Sequence, residues 1–223
     1  FVSANIHSPV SGTVMKLDKA LDASGYRRDA VYIKVEGDEW EDGIDCTDTL
    51  VKESTLSSKE IIDKIAAAGI VGMGGATFPT HVKLTPPPGT KAEILIVNGV
   101  ECEPYLTSDH QLMMEKTDEI LVGTTLVMKA LNVEKAIIGI ENNKKDALAQ
   151  FRKKVKAYPH IHVEALKVQY PQGGEKQLID ALLGRQVPSG ALPVSVGAVV
   201  QNVATIFAVY EAVQKNKPLV EDR

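Results

Sequence analysis

The chain has 223 residues, of which 44% are hydrophobic and 24% charged, and its formal net charge is −4. This composition is typical of a globular protein with one large domain or two modest ones, and it excludes a fibrous or disordered chain. A mildly acidic chain without a basic block also gives no reason to expect nucleic acid as a partner.

The first fifty residues are predicted to be rich in β-structure. Val10, Val14 and Leu17 surround a predicted turn at Ser11–Gly12, and residues 30–35 form a second candidate strand. Glycines punctuate the region between and after these strands, as expected for turns.

The pattern changes near residue 56, where predicted helices and strands begin to alternate. Ser57 and Glu60 form a capping box that starts a helix ending at Gly69. Strands are then predicted at 92–97, 135–140 and 161–166, and helices at 111–131, 143–157, 174–183 and about 200–215. This alternation indicates an α/β fold with a mostly parallel sheet, and it places a domain boundary near residues 50–56.

Two features bear on the compartment. The uncharged stretch 187–210 contains Pro188, Gly190 and Pro193, so it is interpreted as a loop and a buried helix start rather than a membrane span. Cys46 and Cys102 are far apart and form no C-x-x-C run, so we expect cytoplasmic thiols and no iron–sulfur cluster in this segment.

The five histidines share no ligand spacing, and no metal site is predicted.

The segment 69–83 is the most informative for chemistry. Four glycines fall within seven positions, which allows a flat or anionic ligand to approach the backbone closely. Exposed N–H groups in such a loop form an anion cradle, and Lys83 adds a positive charge suited to a phosphate. Thr77 stands where a G-x-G-x-x-G motif requires glycine, and a helix precedes the loop, so the Rossmann fingerprint fails. A merely flexible connection remains the alternative.

Polar residues follow the strand at 92–97. Asn98, Glu101 and Glu103 come at its carboxyl end, where ligands bind in open α/β sheets. The two carboxylates, two residues apart, could accept hydrogen bonds from ribose hydroxyls or a flavin edge; two solvated acids are the alternative.

Two later segments complete the candidate set. Gly173 and Gly174 follow Tyr170 and open a helix whose first turn holds Glu175, where an acid can also serve only the helix dipole. Asn202 and Thr205 lie in an otherwise apolar run, in which buried polar groups need partners.

Taken together, these segments resemble the RnfC family of the Rnf electron-transport complexes and, more distantly, the flavoprotein subunit of respiratory complex I. The stretches 69–83, 97–105, 170–175 and 200–205 occur in the family's order. The combination G-x-x-G-x-G-G-A-x-F-P-T-x-x-K in the first of them is long enough to be specific. The resemblance implies a Rossmann-like domain of the complex I flavoprotein type.

The resemblance also implies cofactors and site residues. FMN would be lined by Gly72, Gly74, Gly75, Lys83, Asn98, Glu101, Tyr170, Gly173, Gly174, Asn202 and Thr205. Glu103 and Glu175 would face NADH, and no side chain would need to act as a general acid. Met73, Val100 and Gln201 depart from the complex I pattern, which bears on nucleotide affinity more than on the fold.

The opening residues resemble a biotinyl/lipoyl-type barrel-sandwich in the form found in RnfC. Lys16 is in the wrong place for attachment, so no lipoyl or biotin group is expected. The resemblance divides the chain into a partial barrel-sandwich (1–52), an FMN/NADH-binding domain (53–217) and the start of a following domain (218–223). The chain begins with Phe1 rather than Met, which indicates a trimmed or cleaved product. The resemblance implies that 4Fe-4S clusters lie in a C-terminal region beyond these residues.

The expected function is therefore electron transfer from NADH through FMN towards iron–sulfur clusters. The chain would be peripheral, on the cytoplasmic side of the membrane, beside other subunits of a membrane-bound ion-translocating oxidoreductase. Two alternatives remain open: a soluble flavoprotein of the cobalamin-reductase type, and a non-catalytic scaffold module of a quinone reductase complex.

Overall fold

A computed structural model describes residues 2–220, in which two sheets are found. The first is an antiparallel hairpin of β1 (Gly12–Leu21) and β2 (Arg27–Val35). Its turn lies at residues 22–26, closed by the Asp22 N–H donating to the Tyr26 carbonyl (2.9 Å). The turn predicted at Ser11–Gly12 was therefore wrong, because Gly12 already pairs with Val35 at the start of β1.

The second sheet has four parallel strands in the order β5-β4-β3-β6. Its strands are β3 (Ile94–Gly99), β4 (Ala136–Glu141), β5 (Ile161–Leu166) and β6 (Ala198–Asn202). This confirms the predicted α/β class with a parallel sheet. The barrel-sandwich remains a prediction, because a single hairpin is not a barrel.

The helices are α1 (Ser58–Ala67), α2 (Thr80–Lys83), α3 (Ser108–Glu115), α4 (Thr117–Leu131), α5 (Lys145–Lys154), α6 (Glu175–Leu183) and α7 (Val203–Gln214). The capping box of α1 is confirmed: Ser57 and Glu60 bond reciprocally through side chain and backbone. Short 3₁₀ turns follow α5 and precede β6.

Two helix predictions need correction. The single helix predicted at 111–131 is two helices, because Lys116 between them has a non-helical backbone (φ −120°, ψ 32°). The helix predicted from about residue 200 begins only at Val203. Residues 198–202 instead form β6, whose Val199 and Val200 are buried next to β3.

Alternate strand residues face two separate cores. Leu95, Val97 and Ile138 pack with α1, α3, α4, α5 and α7 on one side, whereas Ile96 and Val200 pack with α6 on the other. The sheet is therefore the middle layer of three, with its strand ends open at the edges.

The segment after the hairpin is held to the end of α7. The buried Lys215 ammonium donates to the Asp45 carboxylate (2.6 Å) and to the carbonyls of Thr47 (3.2 Å) and Thr49 (2.6 Å). The domain limits at 52/53 and 217/218 remain predictions, and residues 221–223 of the last segment lie outside the described residues.

Candidate functional site

The candidate site lies where the strand order of the sheet reverses. Strands β3, β4 and β5 follow one another in one direction, and β6 returns to the opposite side of β3. Asn98 of β3 pairs with Asn202 of β6, so the two predicted amides end neighbouring strands at this reversal. Ligands of open α/β sheets bind in such a crevice, beyond the carboxyl ends of the strands.

The glycine loop is a closed structure rather than a free connection. The Gly72 N–H donates to the Phe78 carbonyl (2.9 Å), and Val71 forms an antiparallel bridge with Pro79. The loop tip between them is exposed. At Gly75 the backbone has φ +102° and a side chain would meet no atom within 4 Å, so a ligand has room to approach this position.

One hydrogen bond attaches this loop to α7. The Met73 N–H donates to the hydroxyl of Thr205 (2.9 Å), which is fully buried in the first turn of α7. Gly74 also lies close to Asn202, since an added Cβ would be 3.6 Å from the Asn202 side chain. The structure thus brings Gly74, Asn202 and Thr205 together as expected.

Lys83 and Glu175 form an ion pair across the site. The Lys83 ammonium lies 2.5 Å from a carboxylate oxygen of Glu175, and both side chains are partly exposed. Lys83 ends α2, directly after the glycine loop, whereas Glu175 begins α6 after the second glycine pair. The two glycine segments are therefore neighbours, joined by a cation that an incoming phosphate can reach.

Asn98 holds the second glycine segment. Its amide group donates to the Gly173 carbonyl (2.9 Å), and its side-chain oxygen accepts from the Val100 N–H (3.0 Å). Only glycine fits at 173, because an added Cβ would be 2.8 Å from the Val100 carbonyl oxygen. Asn98 therefore acts on the shape of the site through the backbone.

Asn202 links β6 to α3. Its side-chain oxygen caps α7 by accepting from the Ala204 N–H (2.8 Å), and its amide nitrogen donates to the Asp109 carboxylate (2.6 Å). Asp109 was missed by the sequence analysis, because an acid in the first turn of a helix is usually explained by the helix dipole.

Glu101 is turned inward rather than towards the crevice. Its carboxylate is buried and accepts from the Asp109 N–H (3.0 Å), the His110 N–H (3.3 Å) and the Lys144 ammonium (2.9 Å). Burial alone would raise the pKa of Glu101, but these donors, Lys144 first, together hold that pKa below its ordinary value. Glu101 thus supports α3 from inside the protein.

Glu103 and Tyr170 are both exposed, Tyr170 with 73% of its surface accessible. They lie on the loops at the rim, and neither is drawn into the bonds described above. Tyr105, near Glu103, has a left-handed backbone (φ +69°), an uncommon conformation outside glycine that often occurs at functional loops.

Three buried polar atoms near these elements have no hydrogen-bond partner among the described residues. They are the amide nitrogen of Gln201, beside Asn202 in β6, and the hydroxyl of Thr80 and the ring nitrogen Nδ1 of His81, both in the same short helix as Lys83. Buried polar groups are nearly always paired, so all three are groups that an internal water could satisfy. The exposed loop tip, the room at Gly75 and the partly exposed Lys83 ammonium fit a phosphorylated, planar ligand.

A cavity of about 210 Å³ borders the glycine loop but is not the crevice itself. It touches the loop through Met73, and its other walls include Trp40, Phe207 and Lys217.

Within residues 2–220 no group of three or more His, Cys, Asp or Glu side chains could hold a metal ion. Over the same residues, the helices are all too short or too polar to cross a membrane.

Glu141 and Lys144 are further residues that the sequence analysis did not single out. Glu141 ends β4, so the rule that selected Asn98 at the end of β3 could have found it. Lys144 stands in a charged run that is typical of an exposed helix start, and only the three-dimensional packing identifies it as buried.

Comparisons with known proteins identify the family of the α/β domain. The Nuo51 FMN-binding domain family matches residues 65–211, well over half of the chain. Among solved structures, the crystal structure of an NAD+-reducing [NiFe]-hydrogenase in the air-oxidized state superposes with a TM-score of 0.64 at 27% identity. That match covers 71% of this chain and 30% of the hydrogenase chain.

Curated relatives match over nearly the whole chain. The C subunit of the proton-translocating ferredoxin:NAD(+) oxidoreductase complex of Clostridium ljungdahlii is 49% identical over 99% of this chain and 48% of its own length. The C subunit of the Na(+)-translocating ferredoxin:NAD(+) oxidoreductase complex of Acetobacterium woodii is 44% identical over 98% of this chain and 49% of its own length. The chain thus spans about half the length of these relatives. The chain belongs to the Nuo51 FMN-binding domain family, and its curated relatives identify it as a member of the RnfC type.

Proposed function

We propose that this chain is the FMN- and NADH-binding segment of an electron-transport subunit. The carrying observation is the closed glycine loop with Lys83, placed at the sheet's strand-order reversal beside the second glycine segment. FMN would supply the chemistry, accepting a hydride from NADH and releasing single electrons. The electrons would pass towards 4Fe-4S clusters carried by regions outside these 223 residues.

Lys83 is the proposed phosphate contact. In the structure its charge is neutralised by Glu175, so phosphate binding would exchange one anion for another at the same ammonium. The released Glu175 would then be free to accept hydrogen bonds from a ribose. A carboxylate in that position repels a 2′-phosphate, which favours NADH over NADPH.

The backbone of Gly72, Gly74 and Gly75 would approach the flavin, because their missing side chains leave the loop open. Asn98, Asn202 and Thr205 would hold the surrounding backbone in place through the bonds described above. Gly173, Gly174, Tyr170 and Glu103 would form the opposite rim. For Glu101 we infer an indirect role, since its carboxylate is occupied within the protein.

We further propose that the hairpin is part of a barrel-sandwich. One of its faces is apolar, with Val14 opposite Ile33 and Leu17 opposite Val31, and Leu17 is 77% exposed. The other face carries polar residues such as Lys16, which lies over the Tyr32 ring. A two-stranded sheet with one bare apolar face is marginal in water, so further strands would cover it.

The relatives' names also suggest partners. They describe subunits of proton- or sodium-translocating complexes, so the chain would associate with other subunits at the cytoplasmic side of a membrane without spanning it. These names pair ferredoxin with NAD+, and the same flavin site would serve electron transfer in either direction. Neither the soluble-reductase nor the scaffold alternative is favoured by a particular observation.

Titration of the purified chain with FMN tests the proposal. Saturable quenching of flavin fluorescence is expected for the wild type and for Lys59→Ala, an exposed lysine of α1 that pairs with Asp63. Anaerobic NADH should then bleach the absorbance of the bound flavin. A folded chain that binds no flavin, both alone and within the full-length protein, would support the scaffold alternative instead.

A further inference from the structure

Three ionisable side chains form a buried cluster behind the candidate site. The Lys144 ammonium lies 2.9 Å from a carboxylate oxygen of Glu101 and 3.7 Å from one of Glu141. The three side chains are only 9%, 4% and 2% exposed for Lys144, Glu101 and Glu141 respectively. The second carboxylate oxygen of Glu141 has no hydrogen-bond partner among residues 2–220.

The cluster joins three elements that shape the crevice. Glu101 lies in the loop after β3 and holds the first turn of α3 through the Asp109 and His110 N–H groups. Glu141 is the last residue of β4, and Lys144 directly precedes α5. Asp109 in turn accepts from Asn202 at the end of β6. A single ammonium therefore links the loop after β3 to the end of β4, and through Glu101 and α3 it is connected to the end of β6.

The charges of the cluster do not balance when both acids are ionised. One cation then faces two buried carboxylates, and a net negative charge inside the protein is costly. A proton on Glu141 makes the cluster neutral and leaves Glu101 as the carboxylate that α3 and Lys144 require. Burial, with a smaller contribution from the neighbouring acids, raises the pKa of Glu141 despite the Lys144 charge.

We propose that Lys144 is a positioning residue for the nucleotide site and that Glu141 works as its protonated partner, so that loss of that proton loosens the site. This proposal rests on the proposed function, since the site it serves is the FMN crevice. It assigns no contact between FMN and either residue.

Other charged groups around Glu141, within residues 2–220, either repel its carboxylate or pair with another residue. Glu103, on the loop after β3, adds repulsion that favours the protonated acid. On the flanking helices, His110 of α3 and Asp146 of α5 pair with each other at 2.9 Å. Glu175 of α6 pairs with Lys83. Lys144 is thus the cation that acts on Glu141 in this part of the chain.

The direction of the pH effect follows from the raised pKa. A group whose pKa is higher in the folded state than its ordinary value of 4.5 contributes stability that is present at lower pH. That contribution is lost as the pH rises through the folded value. FMN affinity and stability should therefore fall together as the pH rises through that folded value.

The test compares the wild type with Glu141→Gln, a neutral isostere, in the same buffers from the ordinary value of 4.5 upwards, to about pH 8. The urea midpoint and the FMN dissociation constant are measured at each pH. With rising pH we expect the urea midpoint of the wild type to fall and its FMN dissociation constant to rise. Both quantities should vary less in Glu141→Gln. Titration of the flavin itself is common to both proteins and cancels in the comparison. Identical profiles for the two proteins would overturn the role of Glu141.

Lys144 is tested at neutral pH with a matched control. Lys144→Met should weaken FMN binding by at least about tenfold, whereas Lys144→Arg should retain most of the wild-type affinity. The control is Lys145→Met at the exposed neighbour, which should change FMN affinity little. A folded Lys144→Met chain that binds FMN as the wild type does would overturn the positioning role. If Lys144→Met does not fold, the Lys144→Arg affinity decides: an affinity near that of the wild type supports the role, and a loss of about tenfold overturns it. If no protein binds FMN, the proposed function fails, while the urea profiles still decide the proposal for Glu141.

Discussion

Thr205 is the residue at which the glycine loop is attached to the rest of the protein. Its hydroxyl accepts from the Met73 N–H at 2.9 Å and is fully buried. Thr205→Val keeps the shape but leaves that N–H without a partner, which costs about 1–3 kcal/mol. We expect a lower free energy of unfolding in urea and weaker FMN binding, because the loop is no longer fixed.

Thr124→Val is the matched control for this substitution. Thr124 is equally buried, but its hydroxyl donates to the Ile120 carbonyl within α4, far along the chain from the loop. Its loss should affect stability without changing FMN affinity. Equal losses of affinity in both variants would argue against a specific attachment role for Thr205.

At the scale of elements, helices α4 and α7 pack unusually closely at Gly123. A Cβ added there would collide with the Ile206 carbonyl oxygen, so the backbone would have to move. Gly123→Ala should therefore destabilise the protein by about 1–3 kcal/mol, although alanine favours helix. An unfolding midpoint at or above that of the wild type would show that α7 shifts without cost.

The hairpin should contribute little to the stability of the α/β domain. Of its apolar side chains, Val14, Leu17 and Val31 are more than half exposed, and it is closed at its base by the Glu36 N–H donating to the Ser11 carbonyl. Replacing residues 12–35 with a short glycine-serine linker should leave the free energy of unfolding within about 1 kcal/mol of the wild type. Loss of cooperative unfolding would indicate that the hairpin belongs to the same folding unit.

At the scale of the whole molecule, several acids make stability depend on pH on the acidic side. Hydrogen bonds from Lys215 and then Thr47 lower the pKa of Asp45 from 3.8 to about 2. A lowered pKa contributes stability that is present above the ordinary value and lost as the pH falls through the folded value. The urea midpoint should thus fall from about pH 4 towards pH 2. Lys215→Met should be less stable at neutral pH and show a shallower decline; an unchanged slope would exclude Asp45 as the cause.

The sequence was most informative where a local pattern suffices. The capping box at Ser57, the buried strand runs and the glycine segments are local signals, and the structure has the corresponding elements. It was least informative where packing decides. The run at 198–205 is apolar enough for strand or helix, and only its pairing with β3 makes residues 198–202 a strand. Likewise, nothing local distinguishes the buried Lys144 from its exposed neighbour Lys145.

The central claim is that Lys83 and the glycine loop hold the phosphate of FMN, and the ratio of FMN to riboflavin affinity tests it most directly. Riboflavin lacks only the phosphate, so the ratio isolates the contribution of that group. A charged hydrogen bond of about 1.5–3 kcal/mol predicts at least roughly tenfold tighter FMN binding in the wild type. In Lys83→Ala the ratio should fall close to one, with riboflavin affinity little changed. The same ratio in both proteins would contradict the claim and place the phosphate elsewhere.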